Sequence, residues 1–408
     1  MERRSSRSVL VLTYWSAPDA LIQTYTLPYL RQIRRLLPAS ATIHLLTLEQ
    51  AHHSPQAAAA IRARLREEGI AWIPVRYHRF GLRMLLRMAL LMLRLVLLVM
   101  RQRIGVIHAW CMPAAALGWA ISMITRVPLL IDSYEPHAEA MVENGTWTRN
   151  GLAYRTLAWA ERQATRRANA LISCTAAFLE HASRFYGTSF AGKRTFVKPA
   201  CTDLSLFDPV VAKDPGLLAE LGLQGKVVAV YAGKFGGIYL RSEVFTFLAA
   251  CHRHWGDDLR VLLLSDHPEE EIAAWRTAAG LPAASVVKRF VPHAEVPRYM
   301  GLGDFGLCPV LPTPSKRFCT PIKNGEYWAL GLPVVITPRI SDDSERIVKH
   351  RAGVVWDHTG PPEPAVEALA ALLAEPEAAR RARIREVAAS ERSFSISEAI
   401  YRQVYGGA

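Results

Sequence analysis

The chain has 408 residues, half of them hydrophobic, and its 25 glycines and 25 prolines are ordinary for a globular protein. This length allows two or three domains, each with its own core. The first 200 residues carry 26 Lys and Arg against 11 Asp and Glu, and residues 201–408 carry 23 against 25, so the net charge of +13 belongs to the first half. That half is expected to face an anionic partner. No zinc finger, basic zipper or basic-aromatic RNA signature accompanies the charge, which argues against nucleic acid.

The six cysteines are scattered, without a C-x-x-C pair and without histidines at metal-ligand spacing. We therefore expect no structural zinc or other metal site, and a reduced, cytoplasmic setting. The basic segment Met1–Arg7 is followed only by a short apolar strand, which predicts no cleavable signal peptide.

The first half alternates short apolar strands with helices, as parallel strands covered on both faces do. The predicted strands are Val9–Tyr14, Thr42–Thr47, Ile70–Val75, Val106–Ala109, Pro128–Asp132 and Ala170–Ser173. The predicted helices run through Leu37, over Pro55–Glu68, Arg83–Arg101 and Ala114–Ile124, and, as one long helix, through Ala168. The alternation predicts a doubly wound parallel sheet.

One predicted helix, Arg83–Arg101, carries four arginines on a narrow stripe of an otherwise apolar surface, at Arg83, Arg87, Arg94 and Arg101. Its apolar runs are shorter than the roughly 20 residues that a membrane-spanning helix needs. Two interpretations remain, and both can hold: a helix among anionic lipid headgroups at the inner face of the cell membrane, or a buried crossover helix with one wet edge.

An extended, proline-bounded linker, Lys198–Pro209, separates this series from a second one. The strands of the second series are Val227–Tyr231, Leu259–Leu264, Val286–Phe290, Phe305–Pro309, Pro333–Ile336 and Gly353–Trp356. The chain is therefore predicted to be an α/β protein with two doubly wound, Rossmann-like domains, residues 1–200 and 201–390, facing each other across a cleft. In residues 391–408, the aromatic helix Phe394–Tyr405 is expected to pack back onto the first domain.

The segment from Thr320 to Ile336 forms a complete helix-strand unit. Thr320 is predicted as the N-cap, Pro321 as the first helical residue and Gly331 as the C′ residue. The open N-terminus offers unpaired N–H groups and about half a positive charge, to which Lys323 adds a full charge, so it favours a phosphate. Glu326, one turn further on, suits a hydroxyl-bearing group beside that phosphate. A nucleotide-sugar satisfies both.

Several motifs resemble those of one enzyme family over nearly the whole chain, and most strongly in the second half. The motifs are Asp203–Pro209 (D-L-x-x-F-x-P), the glycine loop Tyr231–Gly237, the stretch Val291–Pro309 and Lys323–Pro333 (K-x-x-E-Y-x-A-x-G-x-P). Together they resemble the glycosyltransferases of the GT-B type, in particular the large retaining family four, also described as glycosyl transferases of group 1.

The resemblance implies a nucleoside diphosphate sugar bound mainly by the second domain, an acceptor bound by the first, and no metal or other cofactor. It implies that Lys234 contacts the diphosphate as a catalytic cation and that Glu326 binds the ribose hydroxyls. The donor-binding residues expected are Gly233, Gly236, Gly237, Lys316, Ile322, Lys323 and Glu326. Developing charge on the diphosphate would be stabilised by preorganised donors and cations.

Two positions depart from the family pattern. Phe318 stands eight residues before Glu326, where an acidic residue usually contacts the transferred sugar, and Ile238 and Tyr239 stand where the glycine loop usually has a second lysine. Lys316 and Arg317 in the loop before the helix are candidates for compensation; the alternative is that they are solvated loop charges.

Polar residues near strand ends of the first domain are the acceptor-side candidates. His108 is expected to end one strand, and Glu135 and His137 follow another, so that one of the latter two orients or deprotonates an acceptor hydroxyl. Asp19 lies at the first strand-helix turn. The alternative for each is a capping or otherwise hydrogen-bonded loop group.

The function predicted is transfer of a sugar from a nucleoside diphosphate sugar to a lipid-linked or polysaccharide acceptor at the cytoplasmic membrane face, with retention at the anomeric carbon. The alternatives are a nucleotide-sugar 2-epimerase of the same fold and a catalytically silent binding partner, the latter suggested by Phe318 and the missing loop lysine.

Overall fold

The computed structural model of the chain describes residues 8–77 and 82–406, without the side chains of residues 82–86 and 88. It divides into two compact units: unit 1 contains the chain through Lys198 and residues from Ser395 onward, and unit 2 contains Pro199–Phe394. Each unit is built on its own parallel sheet. The predicted fold class, α/β with two doubly wound Rossmann-like domains, is confirmed.

Unit 1 has seven parallel strands in the order β3-β2-β1-β4-β5-β6-β7. The strands are β1 Val9–Leu12, β2 Ile43–Glu49, β3 Ile70–Arg76, β4 Val106–Trp110, β5 Leu129–Tyr134, β6 Ala170–Ser173 and β7 Arg194–Val197. The helices are α1 Leu27–Leu36, α2 Pro55–Glu67, α3 Leu82–Arg101, α4 Met112–Thr125, α5 His137–Glu143, α6 Leu152–Arg167 and α7 Ala176–Phe185. The apolar strands β1, β5 and β6 are buried almost throughout, since helices cover both faces of the sheet.

Unit 2 has six parallel strands in the order β10-β9-β8-β11-β12-β13. The strands are β8 Val227–Ala232, β9 Leu259–Leu264, β10 Val286–Arg289, β11 Phe305–Cys308, β12 Val334–Ile336 and β13 Gly353–Val355. The helices are α8 Pro215–Glu220, α9 Ser242–Trp255, α10 Glu269–Ala278, α11 Val296–Met300, α12 Ile322–Ala329, α13 Asp343–Lys349, α14 Glu363–Leu373 and α15 Glu377–Arg392; α16, Phe394–Tyr405, follows. In both sheets the strand order reverses beside the first strand, where ligands bind in open α/β sheets.

The structure of unit 1 differs from the sequence predictions at three places. The predicted long helix through Ala168 is two helices, because Gly145 adopts φ +76° and the chain turns before α6. The helix leading to Leu37 begins as a π-helical segment, Leu21–Thr26. Strand β7 was not predicted, since its edge position leaves side chains exposed and removes the apolar signal.

The helix of the 320–336 unit begins later than predicted. The N-cap of α12 is Pro321 and not Thr320, whose hydroxyl instead accepts a hydrogen bond from the Ala200 N–H at 3.2 Å. The end of the helix is as predicted. Gly331 occupies C′ with φ +73°, and the N–H groups of Gly331 and Leu332 donate to the carbonyls of Trp328 and Tyr327, both at 2.9 Å. This is the double hydrogen bond of a Schellman motif.

Helix α3 has one buried face and one exposed face. Leu91, Leu95 and Val99, four residues apart, are at most 8% exposed, whereas Arg87, Arg94 and Arg101 are exposed. The side chain of Arg83, like the segment Met1–Arg7, lies outside the described residues. Within the described part of the chain, no helix combines the length and the hydrophobicity needed to cross a membrane.

Candidate functional site

Helix α12 of unit 2 is fixed to the sheet by the fully buried Tyr327. Its hydroxyl accepts a hydrogen bond from the Ala232 N–H at 3.2 Å and donates to the Val230 carbonyl at 3.4 Å, both at the end of β8. A Cβ on Gly306 of β11 would lie 2.5 Å from the Tyr327 ring, so glycine is required there for the ring to fit. The N-terminus of α12 is thereby held beside the carboxyl end of β8, next to the point where the strand order reverses.

One turn before Tyr327, Lys323 extends over the glycine loop 233–237. A Cβ on Gly233 would lie 2.8 Å from both Cε and Nζ of Lys323. The ammonium group donates to the Tyr239 hydroxyl at 3.0 Å and lies 4.3 Å from the centre of the Tyr239 ring. Burial lowers the pKa of Lys323, but Tyr239, Cys308 and Glu326 outweigh burial, and the net shift is upward. Lys323 is therefore a fixed cation.

Glu326 lies on the same helix, half-buried and one turn from Lys323. Among the described residues, no group donates a hydrogen bond to its carboxyl. Burial raises the pKa of Glu326 to about 7, against the opposing attraction of Lys323. A partly buried acceptor without a donor loses hydrogen bonds to water and gains none from the protein, so this carboxyl is suited to receive donors from a ligand.

The glycine loop uses some of its own amides. The Gly233 N–H donates to the Leu264 carbonyl at 3.0 Å and the Gly236 N–H to the Leu240 carbonyl at 3.3 Å, so these two N–H groups are engaged within the protein. Nothing lies within 4 Å of a Cβ built on Gly237, which leaves the tip of the loop open. The loop therefore lets a ligand approach its backbone closely, but the N–H groups of Gly233 and Gly236 are not available to bind that ligand.

The other predicted donor-side residues surround this helix end. Lys234 is exposed and its ammonium lies 3.3 Å from the Asp266 carboxylate. Ile322 is the first residue of α12, while Lys316 and Arg317 lie in the 3-10 turn Pro314–Phe318 just before it. In the described part of the chain no carboxylate is within 4.0 Å of Lys316 or Arg317. The site is basic although residues 201–408 as a whole carry a slight negative charge.

In unit 1, Glu135 and His137 lie together after β5. His137 Nδ1 is 3.6 Å from Glu135 Oε1, and both side chains are about one-fifth exposed, at 20% and 24%. Beneath them the buried Glu161 accepts hydrogen bonds from the Ala138 N–H and the Tyr186 hydroxyl, both at 2.9 Å. Burial raises the pKa of Glu161 to about 7. The structure brings a histidine and two carboxyl groups to this edge of the sheet, although sequence reasoning did not identify Glu161.

His108 is placed differently from its prediction. It lies in the middle of β4 rather than at its end, and it is 0% exposed. Its Nδ1 is 2.6 Å from the Tyr405 hydroxyl of α16 and its Nε2 is 3.3 Å from Asp132. Burial lowers the pKa of His108. An acceptor cannot reach a side chain covered in this way, so the assignment of His108 to the acceptor side was wrong.

Asp19 lies after β1 and caps the helical segment that follows. Its Oδ1 accepts a hydrogen bond from the Leu21 N–H at 2.8 Å, and its backbone carbonyl accepts from Ile22 and Gln23. This matches the alternative of a capping group. Among the described residues, no cluster of three His, Cys, Asp or Glu side chains is arranged to hold a metal ion.

Around helix α12, sequence reasoning missed the contributions of Tyr239 and Tyr327. Tyr239 binds the Lys323 ammonium, and Tyr327 fixes helix α12 to the sheet. Tyr327 belongs to the motif Lys323–Pro333, but a pattern cannot reveal the contact of its ring with Gly306.

Comparison with known proteins gives a domain match and several matches of fold. Residues 26–200 match the model of the glycosyl transferase 4-like domain. A crystal structure of HepE from Anabaena with UDP has a TM-score of 0.71 and 16% identity, covering 98% of this chain and 100% of that one. Sucrose-phosphate synthase from Thermosynechococcus elongatus has a TM-score of 0.69 and 16% identity, with coverage of 98% and 100%.

A glycosyltransferase from Rickettsia africae has a TM-score of 0.69 and 12% identity, with coverage of 99% and 100%. HepE has also been crystallised with UDP-glucose, in a structure with 16% identity and a TM-score of 0.69. No curated protein matches the chain by sequence at comparable significance. The structural matches confirm the predicted GT-B fold. The match of residues 26–200 to the glycosyl transferase 4-like domain confirms the predicted enzyme class, glycosyltransferase.

Proposed function

We propose that this chain transfers a sugar from a nucleoside diphosphate sugar to a lipid-linked or polysaccharide acceptor at the cytoplasmic face of the membrane, without a metal ion and with retention at the anomeric carbon. A UDP-sugar is the donor class to test first, because HepE, a protein of similar fold, has been crystallised with UDP and with UDP-glucose.

The observation that carries the proposal is the arrangement of Lys323 and Glu326 on helix α12. The Lys323 ammonium lies over the glycine loop beside the open helix N-terminus, which suits a diphosphate. Glu326, one turn away and without a hydrogen-bond donor among the described residues, suits a pair of ribose hydroxyls. The diphosphate and the ribose of a nucleoside diphosphate would thus each have a chemically matched partner on this helix.

Departure of the diphosphate leaves negative charge on its oxygens, and fixed cations stabilise that charge as it develops. Lys323 is held in place by Tyr239, and Lys316 and Arg317 have no carboxylate partner among the described residues. Lys234 is 74% exposed, so exchanging Asp266 for a phosphate oxygen costs it little. These cations support a metal-independent transfer.

For the acceptor, we propose His137 or Glu135 as the group that orients or deprotonates the attacking hydroxyl. The two side chains lie 3.6 Å apart at the carboxyl edge of the unit 1 sheet and remain partly open to solvent. A histidine beside a carboxylate is a common general base. Asp19 is the weaker candidate, since its carboxylate already caps a helical segment.

The exposed side of helix α3 supports attachment to an anionic membrane surface. Leu90, Leu93, Leu97 and Met100 are 39–68% exposed and follow one another at helical spacing. Arg87, Arg94 and Arg101, seven residues apart, flank this stripe. An apolar stripe with flanking arginines suits the boundary between headgroups and acyl chains.

Donor binding is tested first by thermal unfolding with a panel of nucleoside diphosphates and nucleotide-sugars, since a ligand of the folded state raises the melting temperature. We expect a UDP-sugar to stabilise the wild type and the effect to be lost in Glu326→Ala. Glu220→Ala, which removes an exposed carboxylate from the last residue of α8, serves as the control. If no nucleotide-sugar stabilises the wild type, the proposal is wrong.

Product analysis then separates the remaining candidates. A transferase releases nucleoside diphosphate only with an acceptor and gives a glycoside of retained configuration. An epimerase converts the nucleotide-sugar without an acceptor, and a silent binding partner gives no product, which is the alternative suggested by Phe318. Activity should survive a metal chelator, and its loss would refute metal independence.

Membrane binding is tested by flotation with vesicles containing phosphatidylserine. Each arginine near an anionic surface contributes about 1 kcal/mol, so replacing Arg87, Arg94 and Arg101 by glutamine should weaken binding about a hundredfold. Replacing three exposed arginines elsewhere in unit 1, Arg66, Arg76 and Arg184, is the matched control. Equal losses in both variants would show that net charge acts, and not the α3 surface.

A further inference from the structure

A second cation packs against the glycine loop of unit 2. Arg241 precedes helix α9, and a Cβ on Gly236 would lie 2.6 Å from its Nε and 3.2 Å from its Nη2. Gly236 also adopts φ +80°, a conformation that favours glycine. The guanidinium therefore lies against the loop backbone. It fills the space that a side chain at position 236 would occupy if the residue were not glycine.

The loop is thus bordered by two cations, each over its own glycine. Lys323 lies against Gly233 and Arg241 against Gly236. Tyr239, which stands between these glycines and Arg241 in the sequence, is a neutral phenol that accepts a hydrogen bond from Lys323, so it adds no positive charge to the loop. Arg241 is the next residue along the chain that can supply a positive charge.

The surroundings of Arg241 differ from those of Lys234. In the described residues no carboxylate lies within 4.0 Å of its guanidinium, whereas Lys234 has Asp266 at 3.3 Å. Glu243 uses its carboxylate on the backbone N–H of Arg241, at 2.9 Å. Arg241 also stands at the N-terminus of the 14-residue helix α9, where the helix dipole disfavours a cation and favours an anion.

We infer that Arg241 binds the diphosphate of the donor and supplies the second loop cation that the sequence lacks at Ile238 and Tyr239. A guanidinium presents two parallel N–H donors to a phosphate, so it both fixes the orientation of the diphosphate and shares its charge as the sugar leaves. This inference rests on the proposed function, since it assigns a further residue to the same donor site.

The test uses the full chain and measures binding of UDP, uridine and inorganic pyrophosphate by calorimetry or ligand-observed NMR. Arg241→Ala should weaken UDP about tenfold, the effect of losing one charge-assisted hydrogen bond at a partly exposed site, and should weaken pyrophosphate likewise. Uridine, which has no phosphate, should bind as before. Glu326→Ala should instead weaken both uridine and UDP.

Two variants make the comparison specific. Arg253→Ala removes the same charge from the far end of α9, where Arg253 pairs with Glu363, and should leave UDP binding unchanged. Arg241→Lys should recover part of the loss, since it restores the charge without the fork. The tenfold difference should shrink in about 0.5 M salt, where charges are screened within a few ångströms.

The inference is overturned if Arg241→Ala binds UDP as the wild type does, or if it loses uridine and UDP equally, which would indicate a structural role. Wild-type binding of UDP together with an unaffected Arg241→Ala variant refutes this inference and leaves the proposed function standing. If the wild type binds neither pyrophosphate nor any nucleoside diphosphate or nucleotide-sugar of the panel, the inference and the proposed function are both refuted.

Discussion

Replacing Asp132 by asparagine should severely destabilise unit 1. Asp132 lies within β5 and is 0% exposed. Its Oδ1 is 3.0 Å from the Lys198 ammonium and its Oδ2 accepts a hydrogen bond from the Tyr401 hydroxyl at 2.7 Å. Asparagine keeps the shape of the side chain but removes its charge. Lys198 would then be a buried cation that has lost its carboxylate partner and keeps only aromatic rings, those of Tyr29, Tyr25, Tyr401 and Trp110, at 3.7–5.6 Å.

The size of the effect follows from two estimates. Burial alone raises the pKa of Asp132, but Lys198, His108 and Tyr401 together lower it to about 2, from 3.8 in an unperturbed carboxyl. This difference corresponds to about 2–3 kcal/mol of stability at neutral pH. Because the pKa is depressed in the folded state, that stability is present above pH 4 and is lost as the pH falls through about 2. Leaving one partner of a buried pair uncompensated costs about 3–5 kcal/mol, so the substitution should cost about that much.

The assay is hydrogen exchange of the full chain, followed by mass spectrometry in peptides from β4 and β5 and, for comparison, from β8 and β9. We expect exchange in unit 1 to accelerate several hundredfold, with unit 2 little affected. The control is Glu67→Gln, which removes an exposed charge from α2. Adding Lys198→Met to Asp132→Asn should recover part of the loss, since it removes the unpaired charge. A single variant within about 0.5 kcal/mol of the wild type, or a double variant no better than the single, would refute the reasoning.

Three further outcomes are expected. Gly233→Ala should lower the free energy of unfolding by about 1–3 kcal/mol, because Gly233 adopts φ +145°, and should also weaken UDP binding, because its Cβ would displace the end of Lys323, as titration calorimetry would show. Gly331→Ala should lower the free energy of unfolding by about 1–3 kcal/mol as well, because its Cβ would lie 2.8 Å from the Cβ and carbonyl oxygen of Arg381, but it should leave UDP affinity unchanged. Uridine should bind more tightly as the pH rises from 6 to 8, because the pKa of Glu326 is about 7 and the ionised carboxyl is the better acceptor; a Glu326→Gln variant with the same pH profile would refute this.

Much of the fold could be predicted from the sequence, because both sheets are buried on both faces and their strands appear as short apolar runs. The runs β9 and β12 were predicted within one residue. Elements without such an apolar run were not predicted correctly. Strand β7 is exposed at a sheet edge, and the π-helical segment before α1 has the composition of an ordinary helix.

The candidate site divides in the same way. Lys323 and Glu326 were predicted because a helix start, a helix stop and a charge fall within one local pattern, and local patterns are visible in a single sequence. Arg241 was missed, since its relation to Gly236 depends on the path of the loop and not on a motif. The contact of Thr320 with Ala200, 120 residues away, displaced the predicted N-cap for a similar reason.

Asp132 shows where a single sequence gives partial information about long-range contacts. An ionisable residue inside the apolar strand Leu129–Tyr134 is buried if the strand is covered on both faces, and a buried carboxylate without a partner would cost several kcal/mol. A buried partner is therefore required, and that much can be predicted. Its identity cannot, because the first 200 residues alone offer 26 cations. The structure assigns Lys198, 66 residues on, and adds Tyr401 from α16, 269 residues away. The C-terminal helix is thus bound to unit 1 through a requirement that was already present in β5.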